Sequence, residues 1–171
     1  MPRLATYIDS CVWIANYKPT EKLTGEQRAG IATLLDDVSS GNVVLVASSI
    51  LLVEALTVSA EDIELAFDGR KGILVAADES ICGRARALEL KCYKDTGRVL
   101  APMDAIHLST AAVMGCQRFV TLDRKQKDKQ LAPLADRDHL ERLLGIKILA
   151  PQEVNDQGQF DFTESLRAPS S

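Results

Sequence analysis

Val43-Val44-Leu45-Val46-Ala47 is apolar at every position. A strand made from such a run has no polar face to turn to water, so it must be covered on both sides, as strands are in parallel sheets held between helices. Other largely apolar stretches recur at Tyr7-Ile8, at Gly72 to Ala77, at Arg118 to Leu122 and at Gly145 to Ala150. Stretches with helical spacing of apolar residues separate them. This alternation predicts a three-layer α/β/α sandwich: a central, mainly parallel sheet of about five strands with right-handed crossovers and helices on both faces. The 171 residues suit one domain with a sizeable core.

The connecting stretches carry their own boundary signals. The first strand turns at once into a short helix over Val12 to Tyr17, which must stop before Pro19 because the residue ahead of a proline resists the α conformation. Thr24 with Gln27 three residues on forms a capping-box pattern, and Ile31, Leu34, Leu35 and Val38 fall on one face of the helix that follows. Ser48-Ser49 is expected to cap a helix through Ile50 to Leu56, and a short helix to cover Glu61 to Phe67. Asp78 is expected to cap a long helix that buries Ile81, Ala85, Leu88 and Cys92 and ends at Thr96-Gly97. Pro102 suits the first position of the next helix, with Gly115 as its stop. Leu140 to Leu144 reads as a last short helix before an edge strand ended by Pro151. From Gln152 the chain becomes polar, and this tail is expected to be partly disordered or draped over the surface.

Composition narrows the classes of function. No apolar run approaches the roughly 20 residues of a membrane-spanning helix, and Met1-Pro2-Arg3-Leu4-Ala5 lacks the apolar core of a signal peptide, so a cytoplasmic protein is expected. Cys11, Cys82, Cys92 and Cys116 are widely spaced and read as reduced, buried side chains rather than a zinc site or disulfide framework. The net charge of −4 argues against a generic polyanion binder. Basic residues nevertheless outnumber acids in two stretches, Gly83 to Arg98 and Arg118 to Lys147. Either could face a polyanion or be a solvated helix surface.

Four acids stand out. Asp9 and Asp123 lie where apolar strands surface, Glu54 sits beside an apolar stripe, and Asp104 lies in the first turn of a helix of small and apolar residues. Each has a local explanation: Asp9 as a helix cap, Glu54 as a snorkelling side chain, Asp104 as an anion at the positive end of the helix dipole. His107, one turn after Asp104, reads most simply as a half-buried, hydrogen-bonded histidine. In a parallel sheet, however, ligands bind outside the carboxyl ends of the strands, and all four acids belong to that edge. Carboxylates about 5 Å apart repel by roughly 3 kcal/mol per pair at an effective dielectric of 20. Four together need protons or divalent cations, and oxygen-only ligands favour Mg²⁺ or Mn²⁺.

Tyr7-Ile8-Asp9-Ser10, Glu54 within Ser49 to Glu54, Asp104-Ala105-Ile106-His107-Leu108-Ser109-Thr110-Ala111 and Thr121-Leu122-Asp123 together resemble the PIN-domain nucleases, most closely the VapC-type toxin ribonucleases. The resemblance runs from about Ala5 to Val154. It implies a nuclease domain over residues 1–154 followed by a polar tail over 155–171. It also implies a metal-dependent endoribonuclease in which Asp9, Glu54, Asp104 and Asp123 are the catalytic residues and hold one or two Mg²⁺ or Mn²⁺ ions. A metal-activated water would attack the scissile phosphate, leaving a 3′-hydroxyl and a 5′-phosphate. Ser10 and Thr121 match supporting hydroxyl positions, and Asp78 matches a position outside the site. The family further implies a homodimer and, for a toxin, an inhibitory antitoxin protein. Arg84, Arg86, Arg124, Lys125 and Lys127 are the candidates for contact with RNA. The chain is longer than a compact toxin around Lys18 to Gly30 and Lys125 to Arg142, segments that could reshape the RNA groove or the antitoxin surface.

Two other classes fit parts of the pattern. A PIN fold could bind RNA without cutting it, although all four acids are present. A receiver-like module would use Asp78 as phosphoacceptor but needs a lysine after the fifth strand, where Leu149-Ala150-Pro151 follows instead.

Overall fold

Each of the five apolar runs forms a strand of one parallel sheet. The computed structural model describes residues 3–18, 23–124 and 129–154. In chain order these form β1 (Leu4–Ile8), α1 (Ser10–Tyr17), α2 (Gly25–Ser39), β2 (Val43–Ser48), α3 (Leu51–Glu54), α4 (Ala60–Ala66) and β3 (Gly72–Val75). There follow α5 (Glu79–Thr96), β4 (Val99–Leu100), α6 (Pro102–Val113), β5 (Arg118–Val120), β6 (Gln130–Leu131), α7 (Arg137–Leu144) and β7 (Lys147–Leu149), closed by a 3₁₀ turn over Pro151–Glu153. The main sheet has the order β3-β2-β1-β5-β7, so the chain reverses its winding beside β1. Every pair in it is parallel. The gap between the carboxyl ends of β1 and β5 is therefore the topological switch point, where an open α/β sheet leaves a crevice.

Side chains alternate across the sheet into two cores. Tyr7, Val46, Phe119 and Ile148 pack with Ala85, Leu88 and Cys92 of α5 and with Ala105, Leu108 and Ala111 of α6. Ile8, Leu45, Ala47 and Val120 pack on the other face with Val12 and Trp13 of α1, Ile31, Leu34 and Val38 of α2, and Leu51 and Ile63. This is the expected three-layer sandwich. The predicted caps on α2 and α5 also form: Thr24 and Gln27 bond reciprocally, and the Asp78 carboxylate accepts from the amide of Ile81 at 2.9 Å. Gly97 ends α5 in the left-handed conformation, φ 69°.

Several boundaries differ from expectation. Ser48 closes β2 and Ser49 accepts from the Ala77 amide at 3.1 Å, so neither caps a helix with its side chain in the way predicted; α3 starts only at Leu51 and leaves helical geometry at Ala55. Its apolar residues mislead because Leu51 alone is buried, whereas Leu52, Val53 and Leu56 are exposed. Helix α1 begins at Ser10, and α7 begins at Arg137, earlier than its single buried residue, Leu140, suggests. Cys82 is exposed, not buried like Cys92 and Cys116. The parallel pair of β4 and β6 links residues too few and too distant for any local pattern to reveal. The tail beyond Val154, Pro19 to Lys22 and Lys125 to Asp128 lie outside the described residues.

Gly30 shows how closely the 3₁₀ turn packs against α2. It sits within α2 where the helix meets the 3₁₀ turn, and a Cβ there would lie 1.9 Å from the Pro151 carbonyl oxygen. Gly30→Ala is expected to force backbone apart and cost about 2–3 kcal/mol, the upper range of overpacking, despite alanine's better helix propensity. Urea unfolding of the variant checks this; an unchanged or raised midpoint contradicts it.

Candidate active site

Asp9 is the first residue after β1 and occupies the N-cap position of α1, but its side chain caps nothing. It is instead buried, 6% exposed, and turned across the switch point toward β5. There Oδ2 accepts a hydrogen bond from the Thr121 hydroxyl at 2.6 Å and from the Cys11 thiol at 3.2 Å. Burial, and next the charge of Asp9, push the Cys11 thiol well above its ordinary pKa, so it keeps its proton and can donate. Thr121 also accepts from the Asp123 amide at 3.1 Å. One hydroxyl thus ties Asp9 to the start of the segment bearing Asp123. Local capping loses to these partners, Thr121 from the end of the neighbouring strand and Cys11 from α1, because they satisfy the carboxylate where it is buried.

Glu54 reaches the site from the end of α3. Its Oε2 lies 2.8 Å from His107 Nε2, and Ser10 also hydrogen-bonds it. Burial alone would raise the Glu54 pKa; the bonds from His107 and Ser10 outweigh burial and lower it. Ser10 Oγ stands 3.3 Å from the same imidazole nitrogen, and Asp9 Oδ1 is 3.9 Å away. On the far side of the ring, Nδ1 is 2.6 Å from the Tyr7 hydroxyl, which accepts from the Ser48 amide at 2.8 Å. Burial opposes protonation of His107, but the bond to Glu54 and the charges of Asp9, Glu54 and Asp104 hold its pKa above the ordinary value.

Asp104, in the first turn of α6, senses the whole group. Its pKa is pushed up to about 7, first by burial, then by the negative charges of Asp9 and Asp123, with a smaller push from Glu54; His107 partly offsets this. The helix dipole favours its anion, so burial and the neighbouring charges prevail over the local explanation. The structure therefore brings Asp9, Glu54, Asp104 and Asp123 to one crevice and adds His107, which the sequence had suggested only as a satisfied polar residue. Its place one turn after Asp104 on a helix facing the site was the available signal. Among the described residues, no three acid, histidine or cysteine side chains are grouped so that they could grip an ion as they stand. Glu54 bonds His107 through Oε2, and Asp9 bonds Thr121 and Cys11 through Oδ2.

The other candidates are dispersed. Arg84 and Arg86 are exposed on α5, and Arg124 is exposed just after Asp123. Lys125 and Lys127 lie outside the described residues. Asp78 is occupied as the cap of α5, and Lys147 pairs with Glu141 at 3.0 Å within the edge of the sheet, an arrangement unlike a receiver's phosphorylation site.

Solved structures share this fold. VapBC2 from Rickettsia felis, bound to a DNA fragment from its promoter, aligns over 86% of this chain and 98% of its own at 13% identity, with a TM-score of 0.51. FitAB bound to an IR36 DNA fragment aligns over 86% and 95% at 14% identity, with a TM-score of 0.50. The matching fold in these structures is that of the VapC and FitB PIN-domain toxins. This chain has a PIN fold. At such identities the likeness is one of architecture. No protein-family profile matches the sequence, and no curated protein matches it significantly. No described helix is long and apolar enough to cross a membrane.

Proposed function

We propose that this PIN-fold protein is a metal-dependent endoribonuclease, acting in the cytoplasm as the toxin of a toxin–antitoxin pair. The observation that supports it most directly is the placing of Asp104, mostly buried, where the charges of Asp9, Asp123 and Glu54 act on it. Buried carboxylates that repel one another form a site whose anionic state is completed by a cation. The donors are all oxygen, which suits Mg²⁺ or Mn²⁺ better than softer metals. Asp9, Glu54, Asp104 and Asp123 would hold one or two such ions. When bound, the metal supplies charge neutralisation at the scissile phosphate and an activated water for hydrolysis, which leaves a 3′-hydroxyl and a 5′-phosphate.

The protein's own groups do the positioning. Thr121 and Cys11 fix one oxygen of Asp9, leaving the other toward the crevice. Ser10 and His107 orient Glu54. Arg84, Arg86 and Arg124, with Lys125 and Lys127, are proposed to contact the RNA backbone, where each cation contributes affinity without sequence preference. The fold likeness to VapBC2 and FitAB supports an antitoxin protein as inhibitor; RNA as substrate and a homodimeric assembly join the proposal through the resemblance of the acid motifs to the VapC-type ribonucleases.

The purified full chain should cut 5′-labelled RNA in Mg²⁺ or Mn²⁺, stop in EDTA, and resume when the ion is returned. Its product ends should carry a 5′-phosphate. Cleavage that persists in EDTA, or none in Mn²⁺, refutes the proposal.

A further inference from the structure

Glu54 stands on weak footing. Helix α3 has four residues, only Leu51 of them is buried, and the chain leaves helical geometry immediately after the carboxylate. Val53, the residue before it, is 66% exposed. Packing of the helix therefore does little to fix where this acid points. Its firmest contact is the imidazole of His107, which is itself 2% exposed and held from three directions.

The hydrogen-bond directions along this chain are determined from the backbone outward. The Ser48 amide can only donate, so the Tyr7 oxygen accepts at 2.8 Å. The Tyr7 proton is then available to Nδ1 at 2.6 Å, and the neutral ring carries its hydrogen on Nε2, facing Glu54 at 2.8 Å. The alternative tautomer would set a lone pair against a carboxylate. Tyr7 is in turn immobilised in the sheet: it is fully buried and stacks on Phe119, its register partner in β5, with ring centroids 5.1 Å apart and planes within 3°.

We propose that Tyr7 and His107 are positioning residues: the tyrosine hydroxyl sets the histidine tautomer, and the histidine Nε2–H holds Glu54 at the crevice beside Asp9 and Asp104. The relay spans β2, β1, α6 and α3, so the rigid sheet fixes an acid that its own short helix leaves loose. The role in metal binding rests on the ribonuclease reading above; the tautomer and the orientation of Glu54 do not. Groups behind a metal ligand commonly change metal affinity by about 10–100-fold when removed.

Tyr7→Phe keeps the stacked ring and deletes the hydroxyl. With only two histidines in the chain, His107 and His139, ¹⁵N-imidazole NMR of the full chain can follow the tautomer directly at a pH above the ring's titration. The wild type should show the Nε2–H form at His107, and Tyr7→Phe, with Glu54 alone left to favour it, should show a smaller fraction of that form. Mn²⁺ binding, read from the EPR signal of the free ion, should weaken about 10–100-fold in Tyr7→Phe and in His107→Ala. His107→Gln, whose side-chain amide can still donate to Glu54, should recover most of the loss. Unchanged tautomer in Tyr7→Phe, unchanged Mn²⁺ affinity in His107→Ala, or no recovery with Gln overturns the relay while leaving the metal-dependent reading intact. A wild type that takes up no Mn²⁺ overturns that reading, and the relay's role in metal binding with it.

Discussion

Asp9→Asn is expected to cut RNA about a thousandfold more slowly than the wild type in Mg²⁺ or Mn²⁺, the upper end of the cost of deleting one preorganised electrostatic group. Its fold should survive. The Thr121 hydroxyl and the Cys11 thiol both donate to Oδ2, and an asparagine oxygen can accept from them in the same place. What the substitution removes is a buried negative charge that faces Asp104 and would face the cation. Single-turnover cleavage of labelled RNA, with circular dichroism of the same samples, separates these effects. A folded variant that cleaves as fast as the wild type shows that Asp9 is not in the active centre.

The second large effect concerns stability. Asp104 has a folded pKa of about 7 against an ordinary value of 3.8. A carboxyl whose folded pKa is raised favours the native state only while it is protonated. Its contribution is therefore fully present below about pH 4 and is lost as pH rises through about 7. Asp104→Asn removes that loss. In EDTA, the variant should match the wild type at the acid end of this window and exceed it by about 2 kcal/mol above neutrality. That figure is about half of what the shift converts to at 1.36 kcal/mol per unit, because partial exposure and counter-ions screen the group. Its RNA cleavage should nevertheless collapse, as for Asp9→Asn. Thermal unfolding from about pH 4 to 9 tests the first part; a variant less stable than the wild type at high pH contradicts it. A site whose removal stabilises the fold and abolishes activity is one where the fold tolerates repulsion for function.

Much of this architecture was legible in the sequence because burial leaves a local trace. Five apolar runs, separated by helical spacing, implied a parallel sheet before any contact was known, and strand ends located Asp9 and Asp123 at one edge. The caps at Thr24 and Asp78 were equally local, since each bonds an amide three residues away. Where the local pattern failed, it failed for a physical reason. The apolar run implies a helix through Leu56, yet Leu52, Val53 and Leu56 are exposed and the helix ends at Glu54. The length of α3 depended on surroundings that spacing does not encode.

The partners of the acids were beyond the reach of sequence alone. Asp9 has the composition and position of a helix cap, and a short-range bond would have satisfied it. The sheet register instead brings Thr121, 112 residues away, within 2.6 Å, and lines up Tyr7 with Phe119 so that the tyrosine hydroxyl meets His107, 100 residues on. Periodicity along a chain says which side of an element is buried; it does not say what lies opposite. The sequence by itself determined a doubly covered parallel sheet and the edge to which four carboxylates belong. Only the tertiary structure, by fixing the strand order and register, decided which groups share that edge closely enough for their charges and protons to act on one another.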